Sequence, residues 1–217
     1  MRFYQNKKEI YFTQVREDLI EQMPNNPNAT VLEIGCGGGD TLVAIKERKL
    51  AKEVFGVELF NIENSNQRNP AIDRMFIGNI ENISPDYPEN YFDIILCGDV
   101  LEHLVDPWKV IERITPFLKE GGLIIVSCPN IREIFNLGKI LISGRFKYQD
   151  SGIMDKTHLR FFGKKDLADM LTTKQLRPVK VSPNYFITPR RKKFKFIHAG
   201  LLDDFFAAQN IVVAKKI

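Results

Sequence analysis

The sequence lacks the features that mark membrane-spanning, secreted and disulfide-rich proteins. In 217 residues, no apolar run approaches the roughly 20 residues that cross a bilayer. The opening residues, MRFYQNKKEI, contain no apolar stretch of the kind found in secretory signals. The three cysteines, Cys36, Cys97 and Cys128, show neither paired nor metal-type spacing, so we expect free thiols. Together these absences favour a cytoplasmic protein.

The chain also lacks a strong excess of charge. Its formal net charge of +4 is mild and does not by itself indicate a nucleic-acid partner. A composition with 44% hydrophobic and 27% charged residues is typical of soluble globular proteins. The length suits one domain, and we expect residues 1–217 to form it. Two irregular segments, 131–160 and 184–204, are expected to be insertions on the substrate side.

What is present is an alternation of short apolar segments with helical patterns. The alternation predicts an α/β fold with a mostly parallel, doubly wound sheet that helices cover on both faces. The predicted strands are TVLEI, EVFGVEL, RMFIGNI, FDIILCG and GLIIVSCP. The predicted helices include YFTQVREDLIEQM, TLVAIKERK and one that begins at Asp106 and Pro107 and is closed by Gly121 and Gly122.

Glycines and polar residues follow the ends of the first four predicted strands. In a doubly wound sheet, ligands bind outside the carboxyl ends of the strands, where the strand order reverses. These residues should therefore converge on one crevice, although each alone also fits a turn or a helix cap. They are Gly35 to Asp40, Glu58 with Leu59, Asn79 with Ile80, and Gly98 with Asp99.

The glycine loop VLEIGCGGGD, residues 31–40, differs from a dinucleotide-binding loop. Such loops need a third glycine, where this chain has Asp40, and an apolar strand before them, where it has Glu33. Two carboxylates would repel a pyrophosphate but suit a cationic ligand. Glu58, at the end of the second strand, can accept hydrogen bonds from both hydroxyls of a ribose. A ribose joined to a cationic amino-acid tail describes S-adenosylmethionine.

The motifs VLEIGCGGGD, FDIILCGDVLEHLVDP, GGLIIVSCPN and DKTHLRFF together resemble one known family. From about residue 10 to residue 175 the chain is similar to the class I S-adenosylmethionine-dependent methyltransferases, and among them to the group often encoded with sugar and O-antigen pathways. The resemblance implies a Rossmann-like sheet of seven strands whose last strand runs antiparallel. PVKVSPNYF and QNIVVAKKI are the candidates for its final two strands.

The resemblance also implies cofactor contacts for the matching residues. Those expected against the methionine part are Glu33, Gly35, Cys36, Gly37 and Gly38. Those expected around the ribose and adenine are Glu58, Leu59 or Phe60, Asn79 and Ile80, with Gly98 and Asp99 bordering the crevice. Tyr11 and Arg16 match positions that close over the cofactor's carboxylate in similar proteins. For Arg16, a solvated helix face is the alternative.

The stretch GDVLEHL holds the strongest candidates for chemistry. A helix that begins at Asp99 would place Asp99, Glu102 and His103 on one face. Asp99 and Glu102 also fit a capping box, which favours a structural role for both. His103 would lie beside the entry for substrate, and its ordinary pKa of about 6.5 suits a general base.

His158, in MDKTHLRFF, is the second candidate histidine, and packing beside Phe161 and Phe162 is its structural alternative. The small-RNA 2′-O-methyltransferases and the ubiquinone-biosynthesis O-methyltransferases carry an acidic-x-x-Glu-His motif that binds a divalent metal. Asp99, Glu102, His103 and His158 are similar to that set and chemically suit zinc, manganese or magnesium. Because capping explains Asp99 and Glu102, we favour His103 as a base and do not expect a metal requirement.

The acceptor side is defined only by class. The segment 131–160 mixes apolar residues with Arg145, Lys147 and Tyr148, and PRRKKFKFIH interleaves basic residues with phenylalanines. Such a stretch suits phosphates, nucleic acid or an anionic membrane surface, or a solvated loop. A glycan lipid, with its sugar linked through a diphosphate, would match both the basic and the apolar residues. A histidine base favours an oxygen acceptor, so the leading hypothesis is O-methylation of a sugar, glycan or small hydroxylated metabolite. An RNA methyltransferase, and a cofactor-binding protein without methyl transfer, are the alternatives.

Overall fold

A seven-stranded sheet forms the centre of the molecule, and the predicted architecture is confirmed. The computed structural model describes residues 13–83, 85–185 and 203–217. The strands are β1 (Thr30–Ile34), β2 (Glu53–Glu58), β3 (Arg74–Ile77), β4 (Phe92–Gly98), β5 (Leu118–Pro129), β6 (Leu176–Asn184) and β7 (Gln209–Lys216). Their order is β3-β2-β1-β4-β5-β7-β6, and β7 runs antiparallel to both of its neighbours.

Helices connect the strands in the described part of the chain. The α-helices are α1 (Glu17–Ile20), α2 (Asp40–Glu47), α3 (Pro107–Ile114), α4 (Ile134–Ser143), α5 (Lys164–Met170) and α6 (Asp203–Phe206). Short 3₁₀ helices span Asn66–Arg68, Leu101–His103 and Thr115–Phe117. The predicted start of α3 is confirmed, because the Asp106 carboxylate accepts a hydrogen bond from the Lys109 amide at 3.0 Å and Pro107 occupies the first turn.

The core has two layers, one on each face of the sheet, because neighbouring strand residues point to opposite faces. On β1, Val31 packs into the layer with Leu42 of α2, while Leu32 packs into the layer with Ile111 of α3. The same alternation recurs on β4, β5 and β7. Since both faces of the central strands are buried, these strands read as continuous apolar runs.

Two predicted helix boundaries are wrong. The first predicted helix, residues 11–23, is reduced in the described residues to α1, four residues long. The helix that Gly121 and Gly122 were expected to close ends at Ile114 instead, and both glycines lie inside β5. Pro116 lacks the amide hydrogen that a longer helix would need. A Cβ on Gly122 would lie 2.9 Å from the Lys119 carbonyl oxygen, so the tight path of this strand requires glycine.

Several expectations concern the rest of the chain. All three cysteines are free thiols, as predicted, and all three are buried. In the described ranges, no helix combines the length and apolar character that crossing a bilayer requires. Tyr11 and the basic residues Arg190, Arg191, Lys192, Lys193 and Lys195 lie outside the described residues.

Candidate active site

The main crevice of the described molecule lies at the carboxyl ends of β1, β2 and β4. β1 and β4 are neighbours, but from them the chain continues toward opposite edges of the sheet. The reversal opens a cleft of about 1110 Å³. Most of the predicted cofactor residues line it: Arg16, Glu33, Gly35, Cys36, Gly37, Glu58, Leu59, Asn79, Ile80, Gly98 and Asp99. Gly38 is buried behind this lining.

The loop after β1 requires glycine for two reasons. Gly35, Gly37 and Gly39 have φ angles of 70°, 54° and 86°, in the left-handed region that favours glycine. A Cβ on Gly35 would also lie only 2.3 Å from the Val100 Cγ2 atom. The Gly35 amide donates to the Val57 carbonyl oxygen at 2.8 Å, so the loop is held against the end of β2.

Glu58 fixes the second wall of the crevice. Its carboxylate accepts hydrogen bonds from the Gly37 amide at 2.8 Å and the Leu59 amide at 2.7 Å. Burial raises the pKa of this carboxyl, and the backbone hydrogen bonds oppose that shift. An ionised carboxylate has about four acceptor positions, so these backbone bonds leave acceptor capacity for a ribose hydroxyl.

Gln67 joins the two walls, and no sequence signal indicated it. Its side-chain amide donates to the Gly37 carbonyl oxygen at 2.8 Å and to the Phe60 carbonyl oxygen at 3.2 Å. Its side-chain oxygen accepts from the Ile62 amide at 2.9 Å. A single buried side chain therefore ties the glycine loop to the segment after β2.

Glu33 brings a buried carboxyl to the floor of the crevice. Burial raises its pKa to about 8, against the opposing influence of Arg16 and with a further contribution from Glu58. Its Oε2 atom has no hydrogen-bond partner among the described residues. A buried carboxylate oxygen without a donor is costly, and a cationic ligand group would satisfy it.

Asp99 is not a helix cap, so the predicted capping box with Glu102 is wrong. Its φ is 55°, in the left-handed region, and the 3₁₀ helix after it begins only at Leu101. The Asp99 carboxylate instead accepts hydrogen bonds from Arg16, at 3.0 Å, and from Ser127 and Gln209. Contacts from elements distant in sequence hold Asp99 and override its local capping tendency.

Arg16 lines the crevice within this network. Its guanidinium forms a bidentate pair with Asp18, with both distances 2.9 Å, and donates to the Ser127 hydroxyl at 2.7 Å. The role predicted for Arg16 at the cofactor's carboxylate stays a prediction.

Glu102, His103 and His158 form a second cluster behind the crevice. One ligand atom from each lies within 4.8 Å of the others, and the His158 Nε2 atom is 4.0 Å from the Glu102 Oε1 atom. His103 lines the crevice, whereas Glu102 and His158 are buried. Burial and the nearby Asp99 raise the pKa of Glu102. Asp99, bonded to Arg16, does not join this cluster.

Backbone groups orient both histidine rings. The Nδ1 atom of His103 lies 3.1 Å from the Thr157 carbonyl oxygen, and that of His158 lies 2.9 Å from the Ile153 carbonyl oxygen. Because a carbonyl only accepts, each Nδ1 carries a proton, and in the neutral form of either ring the lone pair is on Nε2. Such a tautomer suits either a base or a metal ligand.

Two backbone hydrogen bonds hold His158 close to Glu102, which lies 56 positions earlier in the chain. The amides of Leu159 and Arg160 donate to the Glu102 carbonyl oxygen at 2.7 and 3.0 Å. Asp150 and Ser151, in the segment expected to frame the substrate, also line the crevice. The predicted cofactor residues and His103 therefore line one cleft, and His158 lies behind His103.

Comparison with known proteins agrees with this geometry. A family model described as a methyltransferase domain matches residues 7–181. The ubiquinone biosynthesis O-methyltransferase of Xanthomonas campestris pv. campestris (strain B100) is 28% identical over 121 residues, which cover 54% of this chain and 49% of that protein. The chain thus spans about half the length of the curated relatives it matches.

Solved structures share the fold at lower identity. A SAM dependent methyltransferase from Archaeoglobus fulgidus aligns with a TM-score of 0.66 and 19% identity, covering 96% of this chain and 97% of that one. The cyclase SpnF aligns with a TM-score of 0.64 and 17% identity, covering 92% of this chain and 78% of that one. One fold therefore carries more than one reaction, and the site must decide the function.

Proposed function

The chain belongs to the methyltransferase-domain family, among the class I S-adenosylmethionine-dependent methyltransferases, and from that premise we propose that it methylates a hydroxyl oxygen of a small acceptor. A sugar, a glycan or a hydroxylated metabolite is the acceptor class. The observation that carries this proposal is His103 at the crevice, with Glu102 and His158 directly behind it. The described residues act within one methyltransferase domain.

Different walls of the crevice bind different parts of the cofactor. Glu33 faces the ammonium of the methionine part, since its unpaired, buried oxygen needs a cationic partner. Glu58 accepts from the ribose hydroxyls, and Leu59, Asn79 and Ile80 border the adenine. His103 lines the same crevice, where it would lie beside an acceptor.

Methyl transfer asks little covalent chemistry of the protein. The sulfonium is a good leaving group, and holding the acceptor in line behind the methyl is worth an effective molarity of roughly 10⁵–10⁸ M. A neutral hydroxyl, unlike an amine, must also lose a proton. His103 Nε2 accepts that proton, while the Thr157 carbonyl oxygen and the His158 ring position the His103 ring. The O-methyltransferase name of the relatives supports an oxygen acceptor.

The same three side chains also fit a divalent metal. The Glu102 Oε1 atom is buried without a hydrogen-bond partner among the described residues, and both histidines in the neutral form would present the Nε2 lone pair. With the capping box of Asp99 and Glu102 overturned, the reason to prefer a base over a metal is removed. Glu102, His103 and His158 would hold the ion, which would lower the pKa of the acceptor hydroxyl.

A labelled-methyl experiment tests this function. Purified protein is incubated with S-adenosylmethionine that carries a deuterated methyl group and with acceptor panels of phenols, sugar nucleotides and matched amines. We expect the label in a methyl ether, detected by mass spectrometry, and none in the presence of Glu58→Ala protein at low cofactor concentration. Label found on amine nitrogen, or cofactor bound without transfer to any acceptor, would contradict the proposal.

A further inference from the structure

Helix α4 exposes apolar side chains that the other described residues leave largely uncovered. Only Asn136 is buried among its ten residues, while Leu141 is 81% exposed and Ile142 is 90% exposed. The helix is nevertheless well defined at both ends. The Glu133 carboxylate accepts from the Asn136 amide at 2.9 Å, and Gly144 ends the helix with a φ of 64°.

The exposed apolar residues share one face of the helix. Ile134 and Leu141, and likewise Phe135 and Ile142, are seven residues apart, close to two full turns. The apolar surface continues past the helix, because Phe146 and Tyr148 are half-exposed and their ring centroids lie 5.6 Å apart. We call residues 134–148 the α4 surface.

The α4 surface leads to the candidate active site. The ring of Phe161 packs edge-on against Phe146 with centroids 5.3 Å apart, and it contacts the ring of His158 at 6.2 Å. Aromatic side chains thus connect the exposed helix with the histidine cluster.

Positive charge is the only charge on this surface. Residues 134–148 contain Lys139, Arg145 and Lys147 but no Asp or Glu. All three are exposed, and none forms a salt bridge with another described residue. Lys139 lies at the flank of the apolar face, where a long side chain can reach past buried aliphatic groups toward an anion.

We propose that the α4 surface docks on an anionic lipid bilayer. Aliphatic and aromatic side chains enter the boundary between headgroups and acyl chains, and the three cations meet lipid phosphates. The proposal does not rest on the methyl acceptor. It would bring the histidine cluster close to the bilayer surface, where an acceptor with an apolar tail would be presented.

Three other occupants fit the observations less well. A second copy in a two-fold interface would bring the cations of both surfaces together with no acidic residue from this surface to pair with them. Residues 186–202 of the same chain contain five basic residues and no acidic one, so their sequence offers the three cations no opposite charge. RNA would neutralise the cations but would not provide an apolar environment for Leu141 and Ile142.

Vesicle sedimentation tests the proposal with the full chain. We expect the protein to sediment with phosphatidylcholine vesicles that contain phosphatidylglycerol and to remain soluble with phosphatidylcholine alone. The variant Leu141→Glu/Ile142→Glu should lower partitioning at least tenfold. Lys139→Gln/Arg145→Gln/Lys147→Gln should lower it about a hundredfold, since each cation contributes about fivefold.

A matched control variant shows whether exposed apolar residues anywhere on the protein promote vesicle binding or only those of the α4 surface. Val179→Glu/Ile217→Glu changes two apolar residues of similar half-exposure on and near the edge strand β6, and it should leave partitioning unchanged. Unchanged melting temperatures and S-adenosylhomocysteine affinities show that each variant is folded. Wild-type protein that ignores anionic vesicles overturns the proposal. Two other results would also overturn it. The first is a wild-type dimer that Leu141→Glu/Ile142→Glu abolishes. The second is wild-type binding to RNA, without binding to vesicles, that the same variant abolishes.

Discussion

The two sides of the crevice are built by opposite means. On the cofactor side, Glu33, Glu58 and Gln67 are buried polar groups, and backbone amides and carbonyls hold two of them in place. On the acceptor side, every residue from 141 to 152 is exposed, and residues 141–148 include apolar and basic side chains but no acidic one. The walls that we propose for the cofactor are therefore held in place before any ligand binds, and we propose that the acceptor completes the other side.

Replacing His103 should produce the largest effect and confine it to the acceptor side. We expect His103→Ala to lower turnover by roughly 10²- to 10⁴-fold, because a positioned base contributes that much. Affinity for S-adenosylhomocysteine should be retained, since the cofactor walls do not use this ring. Steady-state kinetics and calorimetry measure the two quantities. Near-normal turnover on a confirmed acceptor, or loss of cofactor affinity, would break the separation of the two sides.

A chelator distinguishes the two roles that the histidine cluster fits. If His103 acts as a base alone, the chelator leaves wild-type turnover unchanged, and the rate rises with pH through the histidine pKa. If the cluster holds a metal, the chelator abolishes turnover until metal is restored, and His158→Ala fails together with His103→Ala.

The cofactor side was largely predictable because its signals are local. β1 and β4 have the predicted bounds, since short apolar runs end there at a glycine or at polar residues. The left-handed glycines of the loop follow from the same stretch of sequence. Gln67 escaped prediction, because an isolated glutamine has no pattern and acts only through backbone groups brought near by the fold.

The acceptor side was predictable only in part because its contacts are long-range. Asp99 reads as a helix cap, yet Arg16 and Gln209, 83 and 110 positions away, hold its carboxylate. The approach of His158 to Glu102 depends on backbone hydrogen bonds from Leu159 and Arg160 that leave no trace in residue type. The resemblance to a family motif identified both histidines, whereas local secondary-structure patterns did not indicate that they lie together.

Glu58→Ala should produce the next largest effect, on the cofactor side. Loss of a hydrogen bond to a charged group costs roughly 1.5–3 kcal/mol, so affinity for S-adenosylhomocysteine should fall roughly ten- to a hundredfold. Glu53→Ala, at the other end of β2, is the matched control and should bind normally. Equal affinities for both variants, measured by calorimetry, would mean that Glu58 does not hold the ribose.

Glu33→Gln should have effects of opposite sign on stability and binding. The folded-state pKa of Glu33, about 8, exceeds its ordinary value of 4.5, so its contribution to stability is fully present below about pH 4.5 and is lost as pH rises through 8. The variant escapes this loss. Its stability advantage over wild type should therefore grow between pH 5 and 8 and reach about 1 kcal/mol or more.

Urea unfolding at several pH values measures this advantage. The same variant should bind S-adenosylhomocysteine less well at pH 8, because it has lost the anion that meets the ammonium. A stability difference that does not change with pH would show that Glu33 is already ionised at low pH in the folded protein.

Gln67→Ala should produce the smallest effect. It removes neutral hydrogen bonds, each worth about 0.5–1.5 kcal/mol, from the link between the glycine loop and the segment after β2. We expect a loss of cofactor affinity of less than about tenfold and no change in turnover at saturating cofactor. An altered turnover under saturation would show that the two sides are coupled through this link.

Calorimetric titration of the wild-type protein with S-adenosylhomocysteine and with NAD measures which of these two ligands the crevice binds. We propose that two buried carboxylates, Glu33 and Glu58, select a ribose attached to a cationic tail and reject a pyrophosphate. We predict saturable binding of S-adenosylhomocysteine at one site per chain and no measurable binding of NAD. Binding of NAD with no response to S-adenosylhomocysteine would contradict the claim.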